Sequence, residues 1–305
     1  MKRKVNLVGQ NTLTVSLPAK WVEKNNINKG DEIDLIEEED NLTISTKPKD
    51  KLLTATLKLS NNYWYVNQVI RNLYTSGYDQ ITIEFDDSKI MIVIQEATDK
   101  LIGFEIVEQG KNYCMIKAVS APLDENFEIL MRRVFLQISQ LFDKLLTDFS
   151  SNSAKDLAEI KIMRNNIYKL IVFCRRTINK KHPYSEQKNS SLSFILQRIG
   201  DIPSTLLSCY EYANKKNKLN LKKDTLFALK KTKEQCDLFY ETLYSKKLIG
   251  IEKMNANRDL LLNKTFIEFL EKSSGADAVI LHHCCEMMRT TSSTAGGILR
   301  YVIAE

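Results

Sequence analysis

The chain lacks the features that place a protein in a membrane or export it. No run of about 18 apolar residues occurs in its 305 residues, so the sequence predicts no membrane-spanning helix. The first residues are basic and then polar, without the apolar centre of a secretion signal. We therefore expect a cytoplasmic protein without an integral membrane segment.

Cysteine motifs of the kind that bind zinc are also missing. The chain has six cysteines, and no two of them have the Cys-x-x-Cys spacing that is typical of zinc sites. Most lie inside apolar stretches, so in a cytoplasmic chain we expect them to be small buried hydrophobic residues. They are Cys114, Cys174, Cys209, Cys236, Cys284 and Cys285.

Signatures of catalysis are absent, and we expect that the protein is not an enzyme. The sequence contains no Gly-rich phosphate loop, no nucleophile elbow and no paired acid and base. Of its 3 histidines, His182 falls in a predicted loop, while His282 and His283 are adjacent and project from different faces of a helix. Together with Cys284 and Cys285 they leave a His-Cys metal or redox patch as an alternative to plain packing.

Residues 1–47 alternate between short apolar strands and turns. This pattern predicts two hairpins around one short helix, which is too small a unit to bury a sufficient core, so we expect it to pair with a second copy. The segments are a strand over 2–8, a turn at 9–11, a strand over 12–17, a helix from 18, a break at 30–31, and a hairpin over 32–36 and 42–45 with an acidic turn at 37–41.

Two short motifs within this unit carry a resemblance. With Leu17-Pro18-Ala19-Lys20 and Lys29-Gly30-Asp31 at these positions, the segment resembles the swapped-hairpin DNA-binding domains of the AbrB, SpoVT and MazE type. The resemblance implies a small all-β swapped-hairpin domain, a homodimer and a transcription regulator. Arginine can read guanine edges, whereas lysine mainly holds phosphate. The residues that we place at the DNA are Lys2, Arg3, Lys4, Asn11, Thr12 and Lys20.

Residues 51–121 show mixed periodicity and predict a small α/β linker domain of β-α-β-α-β-β order. Residues 88–101 contain a run that looks extended, but the length of the segment and the stop at Gly103 favour a helix. Nothing marks this domain as catalytic, so a spacer or dimerisation role is favoured over a ligand sensor. The predicted elements are strands over 51–59, 78–85, 104–108 and 113–117, and helices over 63–75 and 88–101.

From residue 122 the sequence becomes helical. Over 127–149 the apolar residues recur at steps of three and four, which predicts a helix of about six turns with one apolar face. Five more apolar-periodic segments follow, at 154–179, 192–213, 221–244, 251–270 and 276–304. Six long helices joined by short polar links predict all-α helical bundles.

The six helices look like two copies of three, over 122–215 and 216–305. Residues 164–171 correspond to 234–243, and Gln197-Arg198-Ile199-Gly200-Asp201 corresponds to residues 288–292. This arrangement resembles the PhoU family of phosphate-uptake regulators. Together with the N-terminal unit, it looks like the archaeal branch of that family. The resemblance implies a multidomain protein that ends in PhoU-like tandem three-helix bundles.

In the PhoU family, acidic residues at these helix positions bind metal clusters. Carboxylates three or four residues apart share one helix face and can hold a divalent or ferric ion. The acids that remain here are Asp201, Glu234 and Asp237, with pairing to lysine as the alternative. Because an amide has no charge, we expect at least one cluster to be absent and no cofactor to be required for folding. The non-acidic residues at such positions are Asn165, Asn166, Gln197, Met288 and Ser292.

The excess positive charge lies in the C-terminal half. Residues 122–305 hold 29 Lys and Arg against 21 Asp and Glu, whereas residues 1–50 hold 8 against 9 and residues 51–121 hold 7 against 8. A basic face for nucleic acid, an anionic ligand or a membrane surface is one interpretation. Solvated helix ends rich in lysine are the other.

The two resemblances together imply a phosphate-responsive transcriptional regulator. DNA would bind to the N-terminal domain, and the signal would enter through the PhoU-like bundles. The alternative is an adaptor that restrains a phosphate ABC transporter or a sensor kinase by protein contact, with the N-terminal domain serving only to dimerise.

Overall fold

The computed structural model describes residues 2–38, 41–45, 52–119, 127–216 and 218–304. The chain divides into two compact units, residues 1–52 and 53–305. The predicted domain boundaries at 47, 51, 121 and 122, and residues 39 and 40 of the predicted acidic turn, lie outside the described residues. The predicted boundary between residues 215 and 216 stays a prediction.

The N-terminal unit contains two hairpins around one short helix, as the pattern predicts. Gly9 and Gly30 have φ values of +72° and +97°, a backbone conformation that favours glycine, and they lie at the predicted turn and break. The elements are β1 (Val5–Val8) paired with β2 (Thr12–Val15), α1 (Ala19–Lys24), and β3 (Asp34–Glu38) paired with β4 (Asn41–Ser45). Both hairpins are antiparallel.

The second unit begins with a four-stranded sheet that has the predicted β-α-β-α-β-β order. Its strand order is β5-β6-β8-β7, with β5 and β6 parallel and the other pairs antiparallel. The buried side chains of Ile70, Tyr74, Ile81 and Ile94 pack between the sheet and its helices. The elements are β5 (Thr54–Lys58), α2 (Tyr63–Thr75), β6 (Gln80–Glu84), α3 (Ile90–Thr98), β7 (Phe104–Gln109) and β8 (Tyr113–Ala118).

The rest of the second unit is helical, which confirms the prediction of a helical C-terminal half. The elements are α4 (Phe127–Ser150), α5 (Leu157–Lys181), α6 (Glu186–Ile199), α7 (Ile202–Asn214), α8 (Lys223–Ser245), α9 (Ile249–Asn257), a π-helical stretch (Arg258–Phe266), α10 (Ile267–Glu271) and α11 (Gly275–Ile303). Helix α4 packs against α5 and α8, and α11 packs against α6, α7 and α8. Helices of the two predicted repeats therefore contact each other, while the repeat itself stays a prediction. In the described part of the chain, no helix is long and apolar enough to cross a membrane.

The single helix predicted over 192–213 is wrong, because two helices, α6 and α7, cover this region. Helix α6 ends at Ile199, and α7 starts at Ile202 with Pro203 in its first turn. Proline has no N–H to donate to the carbonyl four residues earlier, and its ring would clash there, so a helix kinks or breaks at this point. The elbow between the two helices places Gly200 and Asp201 outside both of them.

All six cysteines are buried and free, which confirms the prediction from their apolar surroundings. Burial raises the pKa of the Cys114 thiol to about 11 and that of Cys174 to about 12. The thiol is therefore the dominant form at neutral pH, and these side chains act as small apolar core residues.

Candidate functional site

One face of the β1-β2 hairpin is apolar and exposed. The strand register pairs Val5 with Val15 and Leu7 with Leu13. Alternate strand residues point to the same face, so these four side chains form one patch, the hairpin patch. Their exposed fractions are 62%, 46%, 64% and 68% in the same order. A unit this small cannot leave so much apolar surface in water without a cost in stability, so we expect another surface to cover the patch.

Charge within the N-terminal unit is divided between its elements. Residues 2–22, which form the first hairpin and most of α1, contain four cationic side chains and no acidic one. The described part of the segment 31–38 contains five acids and no cation. The nearly neutral total for residues 1–50 therefore conceals a basic first segment and an acidic later segment. The acids are Asp31, Glu32, Asp34, Glu37 and Glu38.

The residues predicted to contact DNA lie at the two ends of the first hairpin. Lys2, Arg3 and Lys4 precede β1, while Asn11 and Thr12 lie at the turn, and four strand residues separate the ends by about 13 Å. Lys20 lies in the first turn of α1, which follows the end of β2 nearest to Lys4. All six side chains are exposed. The four cations form no ion pair with any residue that the structure describes.

Two of the three acids that the family resemblance assigns to metal are paired with lysine on helix α8. Glu234 Oε2 lies 2.6 Å from Lys231 Nζ, and Asp237 Oδ2 lies 2.8 Å from Lys233 Nζ. Lys233 also lies 3.5 Å from Asp143 on α4. These contacts correspond to the alternative of helix-surface acids that neutralise neighbouring lysines.

The third acid, Asp201, lies at the elbow between α6 and α7. Burial, together with the nearby charge of Glu286, raises the pKa of its carboxyl, and the charges of Arg198 and Arg71 oppose this increase. Asp201, Glu286, Arg198 and Arg289 line one cavity of about 270 Å³. The elbow therefore holds carboxylates and guanidinium groups of nearly balanced charge.

The residues that stand where the family has acids make contacts within the protein. The side-chain oxygen of Gln197 accepts a hydrogen bond from Arg175 at 3.4 Å, and that of Asn165 accepts one from Arg164 at 3.1 Å. Ser292 is buried and accepts a hydrogen bond from Gln235, while Met288 is a fully buried core residue. Four of these five positions thus have a packing or hydrogen-bonding role.

Helix α11 holds three side chains of types that can ligate a metal, and the sequence indicates the two histidines as part of a His-Cys patch but not the third residue, Glu286. His282, His283 and Glu286 each offer one ligand atom, and these atoms lie within 4.8 Å of one another. No other group of three such residues is found in the described ranges of the chain. Adjacent histidines point in different directions on a helix, but Glu286 is four residues after His282 and three after His283, so it neighbours both on the helix surface. This spacing is the sequence signal that could have predicted the group.

Comparison with known proteins identifies the N-terminal unit alone. Residues 8–52 match the family described as "Antidote-toxin recognition MazE, bacterial antitoxin". This match agrees with the resemblance of the two-hairpin unit to MazE-type domains, and it does not extend into the helical half. No curated protein and no solved structure matches the chain.

Proposed function

We propose that this protein is a homodimeric transcription regulator that binds DNA through its N-terminal unit. The observation that carries this proposal is the match of residues 8–52 to a MazE-type family, on a unit whose first hairpin has cations and no acids. The helical half would receive the signal that controls DNA binding.

The hairpin patch supports the proposed dimer. Val5, Leu7, Leu13 and Val15 are large apolar residues that one copy leaves about half or more exposed. A second copy that presents the same patch would cover them through a two-fold axis, which is the commonest symmetry of homodimers. A swapped arrangement of hairpins, as the family resemblance implies, would add the residues of the second hairpin to the shared core.

The charge division suggests which side of the unit faces DNA. Phosphates would be attracted to Lys2, Arg3, Lys4 and Lys20, which have no described ionic partner to give up. The acidic hairpin over 34–45 would be repelled and would face away. Asn11 and Thr12 at the turn could donate or accept hydrogen bonds at base edges or phosphates when a second copy completes the surface.

We further propose that the helical half is PhoU-like and makes regulation respond to phosphate. Support comes from the correspondence between residues 197–201 and 288–292, in which Arg198 corresponds to Arg289. These two arginines line the same cavity, as expected when two repeats meet through equivalent motifs. The phosphate signal itself rests on the family resemblance.

Titration of DNA tests the regulator. The full chain is mixed with DNA from its own upstream region and from a phosphate-transporter promoter at several salt concentrations. We expect specific binding whose affinity falls with salt, and transcript levels that no longer respond to phosphate supply once the gene is deleted. If the protein has no salt-dependent affinity for any DNA, then the adaptor that acts on a transporter or kinase becomes the better proposal.

The family description favours one further candidate, an antidote to a toxin. Gene deletion separates the two functions. Loss of an antidote would release its toxin and stop growth even at constant phosphate. Loss of a regulator would leave growth at constant phosphate intact and would change transcript levels.

A further inference from the structure

His282, His283 and Glu286 form a compact group on the surface of α11, which we call the HHE triad. Glu286 lies one helical turn after both histidines, so its carboxylate reaches back toward the two rings. The Nδ1 atom of His283 lies 3.2 Å from Oε2 of Glu286. His282 and Glu286 are exposed and His283 is half-buried, so an ion in water can reach all three.

We propose that the HHE triad binds one divalent transition-metal ion. A metal about 2.1 Å from both His283 Nδ1 and Glu286 Oε2, which are 3.2 Å apart, would see them at an angle of about 100°. This angle lies between octahedral and tetrahedral coordination. The ring of His282 completes the triad by a small movement, since its ligand atom is already within 4.8 Å of the others and its side chain is exposed. Water would fill the remaining positions.

The ligand types select the class of metal. Two imidazoles with one carboxylate suit zinc, nickel, cobalt or copper, whereas magnesium and calcium prefer oxygen ligands alone. The surrounding charge agrees with this choice, because Arg198 and Arg289 balance the carboxylates of Asp201 and Glu286 in one cavity, which leaves no excess negative charge for a purely ionic site. The bond between an imidazole nitrogen and such a metal depends less on the net charge of the site than the bond to a carboxylate oxygen does.

The neighbouring cysteines are not part of the triad. Cys284 and Cys285 are both buried, with exposed fractions of 0% and 2%, so they face the core. Neither sulfur atom belongs to the group of ligand atoms that lie within 4.8 Å of one another. The triad also shares no residue with Glu234 and Asp237, the lysine-paired acids that the family resemblance assigns to metal. The inference therefore does not depend on the proposed function.

A binding measurement with the full chain tests the triad. The protein is dialysed against chelator, and Zn²⁺ and Co²⁺ are titrated by calorimetry and absorption spectroscopy. We expect one ion per chain and an affinity at least about tenfold weaker in His282→Ala, His283→Ala and Glu286→Gln. His182→Ala is the matched control, because His182 is the one histidine of the chain outside the triad and lies directly after α5. The metal affinity of this control variant should equal that of the unaltered protein.

Two outcomes of the titration would overturn the assignment. The first is equal affinity in the three triad variants and the control. The second is a cobalt spectrum with intense thiolate charge transfer, which would assign binding to cysteine. Circular dichroism verifies that the variants fold. Histidine modification by diethylpyrocarbonate gives a test that needs no variant: Zn²⁺ should protect two histidines of three, and an absence of protection contradicts the site.

Discussion

Arg176 on α5 forms a buried ion pair with Asp79, which precedes β6. The guanidinium Nη2 lies 2.7 Å from Oδ1 of Asp79, and the two side chains are 5% and 4% exposed. Nη1 of Arg176 also donates to the backbone carbonyls of Tyr74 and Tyr78 at 2.9 and 2.6 Å. Lys180 pairs with the same carboxylate, and the backbone N–H of Leu53 donates to it. The α/β sheet is thus joined to the helices by a buried ion pair with several further hydrogen bonds.

The Arg176→Met variant should strongly destabilise the second unit. The substitution keeps the volume but leaves the Asp79 carboxylate and two carbonyls short of donors in the interior, so the free energy of unfolding should fall by about 3 kcal/mol. Urea unfolding followed by circular dichroism measures the loss. Lys58→Met is the control, since Lys58 and Asp86 are 60% and 79% exposed, so water screens this pair and its loss should hardly change the stability. Similar losses in both variants would contradict this role for Arg176.

Asp79 should also make stability depend on acid pH. Burial alone would raise the pKa of its carboxyl, but Lys180, the Leu53 N–H and Arg176 together hold the pKa below the ordinary value of 3.8. A carboxylate whose pKa is depressed by folding stabilises the native state above the unfolded pKa, and this stabilisation is lost as pH falls through the folded pKa. The stability difference between the unaltered protein and Asp79→Asn should therefore be constant above about pH 5 and shrink below about pH 4. A stability difference between the two proteins that does not change with pH would refute this role of Asp79.

Leu13→Lys should break the proposed dimer. Burying an ammonium group at the hairpin patch would cost about 3 kcal/mol, which corresponds to roughly a 100-fold weaker association. Light scattering at micromolar concentration should show the dimer for the unaltered chain and the monomer for the variant. Thr14→Lys is the matched control, because it adds the same charge one residue away, on the opposite face of β2. A folded monomer for the unaltered chain would rule out the dimer.

Arg3→Ala and Lys20→Ala should weaken DNA binding in different ways. If Arg3 reads a base edge, its loss should cost about 1–3 kcal/mol and relax the sequence preference. If Lys20 holds a phosphate, its loss should weaken all sequences alike and reduce the salt slope by about one. Fluorescence anisotropy at several salt concentrations distinguishes the two effects. Lys111→Ala, in the second unit, removes the same charge and should leave binding unchanged. Unaltered binding in the first two variants would favour the adaptor.

Local elements could be predicted from the sequence, because their signals are local. The alternation in β6 and the three-four spacing in α4 need only neighbouring residues, and both elements lie where expected. The α6-α7 elbow was missed although its cause is also local. The apolar spacing continues through Pro203, and this periodicity outweighed the proline signal.

Contacts between distant segments could not be predicted in this way. Asp79 and Arg176 are 97 residues apart, and nothing in either segment specifies its partner. Their pairing depends on how α5 packs on α2, which is a property of the assembled core. The HHE triad is an intermediate case. Its spacing was visible, but only the structure shows that the ligand atoms are close to one another.

The adjacent glycines Gly296 and Gly297 of α11 should respond oppositely to alanine. A Cβ atom at exposed Gly296 meets nothing within 4 Å, so Gly296→Ala should raise the free energy of unfolding by up to about 1 kcal/mol through helix propensity. A Cβ atom at buried Gly297 would lie 2.9 Å from Cγ1 of Ile195 and 3.1 Å from the ring of Phe194 on α6.

Gly297→Ala gains the same helix propensity, but overpacking costs about 1–3 kcal/mol, so it should be less stable than Gly296→Ala by at least about 1 kcal/mol. Urea unfolding of both variants gives this difference directly. Ile195→Ala removes the obstructing atom, so adding it to Gly297→Ala should cost less stability than adding it to the unaltered chain. Equal stabilisation by both alanines would mean that α6 and α11 do not approach each other so closely at Gly297.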